Sequence, residues 1–165
     1  YTGRAGSVGD NVGSMIIAMR LLRDIIRLCF LLERKYAPYS KWLGSAFLQL
    51  DCAGELHPIM NDIVGTADWK EREKLFVKIY IILVSLQNET GLSPRIVNEP
   101  HLFIRRPYTI VGGNSIASIL QKEIKDEGMR RLSERWLVGN IDLITDNHAF
   151  DDDPRQRTLM RQLFE

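Results

Sequence analysis

Between Met15 and Leu32 every position is apolar, counting Ala18 and Cys29, except Arg20, Arg23, Asp24 and Arg27. At about 100° per residue, those four positions share an arc of about 100°. A helix that is apolar around the rest of its circumference must be surrounded by other elements. The stretch therefore predicts a long central helix near the N-terminus, buried on most sides. It is expected to run from about Asp10 to Pro38 with Arg34 continuing the polar stripe, because the residue before a proline is pushed out of the α region. The charges inside it, like Lys78 inside Leu75 to Leu86, keep either run from being the roughly 20 apolar residues that span a bilayer.

Further helical periods follow. Trp42, Leu43, Ala46, Phe47 and Leu50 share one face of a helix starting near Ser40, and Gly54 marks a break. Leu56, Ile59, Met60, Ile63 and Val64 repeat at i, i+3, i+4, i+7 and i+8 before Gly65. Asp68 and Glu71 have capping-box spacing, and the helix after them turns Leu75, Phe76, Ile79, Leu83 and Leu86 inward and stops near Gly91. Three prolines, Gly112-Gly113 and the β-branched Thr109-Ile110-Val111 predict a long irregular loop over 93–113 with a small hairpin. A fifth helix, capped by Asn114, presents Ile116, Ile119, Leu120 and Ile124 before Gly128. Leu159, Met160, Leu163 and Phe164 predict a terminal helix. The expected fold is all-α: a helical bundle around the long N-terminal helix, forming a single helical domain over residues 1–165.

The 165 residues carry 22 Lys and Arg against 21 Asp and Glu, a net charge of +1. So even a balance gives no global attraction to nucleic acid or anionic lipid, and binding of either must come from charge laid out locally. Cys29 and Cys52 do not make a disulfide framework, which fits free thiols in a reducing cytoplasm. The chain opens at Tyr1 without methionine or a secretory pattern, so it is expected to be the C-terminal part of a longer protein.

Self-sufficient chemistry is hard to find. His57, His101 and His148 lack metal-ligand spacing. Arg95 and His101 have an Arg-x5-His spacing, but Pro94 and Pro100 argue against a shared helix face. Gly3, Gly6, Gly9 and Gly13 fit neither a Walker loop nor a dinucleotide fingerprint. They read as a flexible turn entering a helix capped by Asp10 or Asn11, whose free amides could hold an anion. Asp142, Asp146 and Asp151-Asp152-Asp153 read as solvated turn residues and caps. An autonomous enzyme using Asp10, Asp24 or Glu33 as general base lacks a recognisable constellation.

The more informative features are local. Arg20, Arg23, Arg27 and Arg34 outnumber Asp24 on their stripe, and guanidinium groups along a cleft suit phosphate or carboxylate recognition. Directly after them, Tyr36-Ala37-Pro38-Tyr39-Ser40-Lys41-Trp42 could offer a stacking surface with a cation beside it. The alternative is that Trp42 packs into the core. Helices joined by a short turn usually pack together, so Arg23, Arg27, Tyr39, Lys41 and Trp42 are expected to line one cleft.

Gly3-Arg4-Ala5-Gly6-Ser7-Val8-Gly9-Asp10, Arg20-Leu21-Leu22-Arg23-Asp24 and above all Arg34-Lys35-Tyr36-Ala37-Pro38-Tyr39-Ser40-Lys41-Trp42-Leu43-Gly44 resemble the bacterial family called domain of unknown function 4037. Trp69, Arg72-Glu73, Asn88 before Gly91-Leu92, and Arg106-Pro107-Tyr108 extend the resemblance. Gly139-Asn140-Ile141-Asp142-Leu143-Ile144-Thr145-Asp146-Asn147 departs from the family's Gly-x-Val-Asp-Gln-Phe-x-Asp-Ser form, so no role passes to Leu143 or Asn147. The resemblance implies a helical domain that follows a nucleotidyltransferase-like domain in the same chain. The signature of that domain, Gly-Ser followed by Asp-x-Asp, is absent here, so Mg²⁺ and a nucleoside triphosphate would be cofactors of the longer protein and not of this part. The implied function is recognition of a substrate or acceptor, without catalysis by these residues alone. Arg20, Arg23, Arg27, Arg34, Tyr39, Lys41 and Trp42 are the expected substrate-binding residues. The expected partners are the missing N-terminal domain and a nucleotide or small-molecule acceptor, with no membrane and with RNA left open. The other reading is a non-catalytic helical module that binds RNA or a protein.

Overall fold

The computed structural model describes residues 1–103, 106–112 and 114–135. In chain order they form α1 (Thr2–Ser7), α2 (Asn11–Leu32), α3 (Ser40–Phe47), α4 (Ala53–Gly65), α5 (Trp69–Glu89), β1 (Pro100–Leu102), β2 (Thr109–Val111), α6 (Asn114–Lys122) and α7 (Glu127–Arg135). The fold is all-α apart from the two short strands. It divides into two compact units, Tyr1–Leu120 and Gln121–Glu165.

The first unit is built around α2, which packs against α1, α3, α4 and α5. Asp10 starts the helix as expected, its Oδ1 accepting from the Gly13 amide at 2.7 Å. Ala18, Leu22, Ile25 and Cys29, spaced four, three and four residues apart, form the inward stripe. Ile16, Leu28 and Leu31 stay exposed, so α2 is less enclosed than its composition implies. It also ends six residues before Pro38. Arg34 takes a left-handed φ of 55°, its amide donates to the Leu31 carbonyl at 3.0 Å, and the Lys35 amide donates to the Phe30 carbonyl at 2.9 Å. These two bonds are the Schellman closure, made here by arginine where glycine is usual. Arg34 therefore lies beyond the helix and does not extend the stripe of Arg20, Arg23 and Arg27.

Gly3 and Gly6 belong to a short helix and not to a flexible turn. Both are buried, and a Cβ on Gly6 would run into the Trp69 ring at the start of α5, while one on Gly3 would lie 2.8 Å from the Tyr108 ring. Glycine is used here so that α1 can approach two aromatic rings, which themselves meet edge to face at 6.4 Å.

Leu43, Phe47 and Leu50 from the α3 region, Leu56, Met60 and Ile63 from α4, and Leu75, Phe76, Ile79 and Leu83 from α5 complete the main core. Gly54 sits inside α4 and does not break it, and Val64 points outward. Asp68 caps α5 by accepting from the Lys70 amide at 3.0 Å. The reciprocal half of the capping box is not made, because Glu71 pairs with Lys74 at 3.0 Å and the Asp68 amide donates to Thr66 Oγ1.

A second, smaller core joins Val84 of α5 to Ile96 and Val111. Asn88 pins the intervening loop: its Oδ1 accepts from the Ile96 amide at 2.8 Å and its Nδ2 donates to the Ile96 carbonyl at 3.0 Å. The hairpin is antiparallel, with His101 opposite Ile110.

The helix expected after the loop is α6, which stops at Lys122, so Ile124 lies beyond it, and Gly128 falls within α7 of the second unit. Asp126 starts α7 by accepting from the Met129 amide at 2.8 Å. Arg130 pairs with Glu127 and Glu134 on its surface. A helix held by such exposed pairs has little apolar period, and for that reason the pattern weakens there. The terminal helix expected around Leu159 to Phe164 lies outside the described residues.

Candidate functional site

Arg20, Arg23 and Arg27 share one face of α2 because they are spaced three and four residues apart. Arg20 is exposed, whereas Arg23 and Arg27 are half-buried. Arg23 pairs with its neighbour Asp24 at 3.2 Å. The short polar connection after the Schellman closure carries Arg34, Lys35 and Tyr36 on the surface. It leads to Tyr39, whose extended backbone (φ −64°, ψ 165°) starts α3.

On α3 the expected inward face divides. Leu43 and Phe47 are buried, but Trp42 is 52 % exposed and Tyr39 48 %. Lys41 holds its ammonium 5.1 Å from the centre of the Trp42 ring, within the range of a cation–π contact. An aromatic face with an adjacent point charge is thus presented to solvent. Among the described residues, no hydrogen bond or ion pair links the arginines of α2 to Lys41 or Trp42.

Glu33 anchors this corner. Its Oε1 accepts from the Cys52 amide at 2.9 Å and its Oε2 from the Asp51 amide at 3.1 Å and from Lys35 Nζ at 2.8 Å. The carboxylate thereby ties the end of α2 to the turn between α3 and α4. Burial works to raise its pKa, but donation from the Cys52 amide, Lys35, the Cys52 thiol and the Asp51 amide outweighs this and holds it at about 2. So strongly held an anion is a poor general base at neutral pH. Asp10 is engaged as a helix cap and Asp24 in an ion pair with Arg23.

The folded-state pKa of Glu33 is depressed, so the stability it contributes is complete above about pH 4.5 and is lost as the pH falls through about 2. Urea midpoints measured across that window should fall further for the wild type than for Glu33→Gln. The expected difference is about 1–2 kcal/mol after allowing for solvent screening. Parallel curves would show that the carboxylate is not held in this way.

Among the described residues, no group of three or more His, Cys, Asp or Glu is placed to hold a metal ion. His101 lies on β1 and Arg95 in the loop before it, so their spacing has no helix face to act on. The N-terminal amides of α2 are engaged at Gly13 by the chain's own Asp10, which weakens the anion-site expectation. Asp142, Asp146, Asp151, Asp152, Asp153 and His148 lie outside the described residues.

Residues 1–43 match the family described as Domain of unknown function (DUF4037). The chain resembles that family over these residues. The match takes in α1, α2, the Schellman closure and α3 as far as Leu43, and so includes every substrate-binding residue expected from the sequence. No curated protein and no solved structure matches the chain. Trp69, Arg72, Asn88 and Tyr108 fall outside the DUF4037 match, and the structure gives each a packing or hydrogen-bonding task. No helix of the described residues is long and apolar enough to cross a membrane.

Arg72 was legible only as a marker of resemblance, yet it is 1 % exposed. Its Nη1 donates to the Thr66 carbonyl and its Nη2 to Ser14 Oγ, both at 2.8 Å. The side chain thus joins α5 to the C-terminal end of α4 and the first turn of α2. No motif encodes this, because its partners are a backbone carbonyl and a serine 58 residues away.

Proposed function

We propose that this chain is the substrate- or acceptor-recognition domain of a nucleotidyltransferase-like protein and is not catalytic by itself. The observation that carries the reading is the exposed Lys41–Trp42 pair beside Tyr39, inside the segment that resembles DUF4037. In this reading Trp42 or Tyr39 stacks on a base or another flat group, and Lys41 contacts its phosphate or carboxylate. Arg20, Arg23, Arg27 and Arg34 supply further positive charge. The carboxylates that hold Mg²⁺ against a nucleoside triphosphate belong to another domain of the same chain. A cytoplasmic setting accords with two cysteines that are free thiols.

Purine and pyrimidine nucleoside triphosphates serve as probes. The 165-residue protein is expected to bind at least one of them, read by calorimetry, without hydrolysing or transferring it in Mg²⁺ or Mn²⁺. Lys41→Ala should weaken binding about threefold to tenfold, the scale of one charged contact of up to about 1.4 kcal/mol, with little change in thermal midpoint. Unchanged affinity in Lys41→Ala would remove this site. Turnover lost on mutating residues of this chain would contradict the non-catalytic reading.

A further inference from the structure

Residues 34–50 carry Arg34, Lys35 and Lys41 and no acid. Three aromatics close together in that stretch face water: Tyr36 is 94 % exposed, and Tyr39 and Trp42 are half exposed. Single exposed apolar side chains are ordinary, but a row of three beside cations marks a contact surface. The backbone that carries the row is anchored. Glu33 accepts from the amides of Asp51 and Cys52, Ala37 packs against the main core, and Leu43 and Phe47 bury the inner side of α3. The Trp42 amide donates to the Tyr39 carbonyl at 3.0 Å, which places these two residues one turn apart at the start of α3. Tyr36 precedes Tyr39 by three residues, a span of about 10 Å at most. Lys35 is paired with Glu33 at 2.8 Å, so Arg34 and Lys41 carry the charge beside the rings.

We propose that Tyr36, Tyr39 and Trp42 form a stacking row for a short single-stranded RNA, with Arg34 and Lys41 on its phosphates. The site is the one built on the Lys41–Trp42 pair and rests on that reading; its ligand is here a polymer in place of a free nucleotide. A free nucleotide has one base, so one ring holds it and the rest of the aromatic surface stays wet. A single strand presents successive bases, each with a π-face, and successive phosphates. The order of the side chains suits that repeat, because Arg34 precedes Tyr36 and Lys41 falls between Tyr39 and Trp42. A duplex does not fit, because its bases are stacked and paired with each other and cannot splay onto the rings. An acidic peptide would satisfy the cations but has nothing flat to cover three rings. The exposed Tyr36 hydroxyl offers a 2′-hydroxyl a hydrogen-bond partner, which favours RNA over DNA.

The test measures fluorescence anisotropy of a labelled single-stranded RNA hexamer of mixed sequence with the 165-residue protein, and competes it with nucleoside triphosphates. The hexamer is expected to bind about tenfold more tightly than a triphosphate, or better, because further bases stack. Its affinity should fall with salt at a log–log slope of about −1.4, the value for two phosphate contacts on a single strand, and Arg34→Gln should reduce that slope by about 0.7. Tyr36→Ala should weaken the hexamer about fivefold, the loss of one base stack, and leave triphosphate affinity and the thermal midpoint unchanged. A hexamer no tighter than the triphosphate, or no effect of Tyr36→Ala on it, would overturn the proposal and leave the reading of Lys41 and Trp42 standing. Failure of both ligands to bind would overturn both. Equal binding of a DNA hexamer would overturn the choice of RNA, and equal binding of polyglutamate would show that charge alone is recognised and overturn the stacking row.

Discussion

Arg72→Ala is expected to destabilise the protein by about 3–5 kcal/mol, read as a shift in urea midpoint at constant slope. Two effects add. A side chain of this size removed from a fully buried position leaves a cavity that the neighbouring helices fill only in part. The Thr66 carbonyl and Ser14 hydroxyl also lose their charged donors, each such loss costing about 1–3 kcal/mol when the group stays dry. The guanidinium is unusual in that, among the described residues, no carboxylate pairs with it and its Nε has no hydrogen-bond partner. Its compensation is the C-terminal end of α4, where helix carbonyls carry partial negative charge. Arg72→Met separates packing from charge. It keeps most of the volume and removes the cost of burying a cation, so it should recover a substantial part of the loss. If Met is as damaging as Ala, the hydrogen bonds dominate; if both are silent, Arg72 is not the tie described above.

The second large effect concerns two aromatics five positions apart on α3. Phe47→Ala should cost about 3–5 kcal/mol, since its side chain is 1 % exposed and surrounded by the main core. Trp42→Ala should cost less than about 1 kcal/mol, because half of the ring already meets water and its recorded partner is the Lys41 ammonium. Ligand affinity should respond to the Trp42 change and not to Phe47, provided that Phe47→Ala is assayed where it is still folded. A loss of several kcal/mol at Trp42 would return it to the core and remove the aromatic half of the proposed site.

The helices of the first unit were legible where burial imposes a 3.6-residue period, as in Ala18, Leu22, Ile25 and Cys29, or in Leu56, Met60 and Ile63. Caps with a carboxylate at the right offset were legible too, at Asp10 and Asp68. The end of α2 was not. Its closure needs a left-handed arginine and a glutamate whose acceptors meet amides of residues 51 and 52, and neither leaves a local signature. The small residues of α1 leave no local signature either, because a glycine facing an aromatic ring and a glycine in a loose turn are the same letter. The candidate site was legible as a set of residue types, since cations and aromatics crowded around Pro38 are conspicuous. Whether Trp42 faced water could not be read, because its position on α3 borders the buried stripe.

The sequence alone determined the all-α class, the central place of the Met15–Leu32 helix and the hairpin at Thr109-Ile110-Val111, because hydrophobic period and turn chemistry act over a few residues. Only the tertiary structure decided where α2 stops, which way Trp42 points, that Glu33 ties the end of α2 to the amides of Asp51 and Cys52, and that Arg72 is a buried tie. Each of those depends on groups that are distant in the chain and become partners only when the helices pack, and no local propensity carries that information.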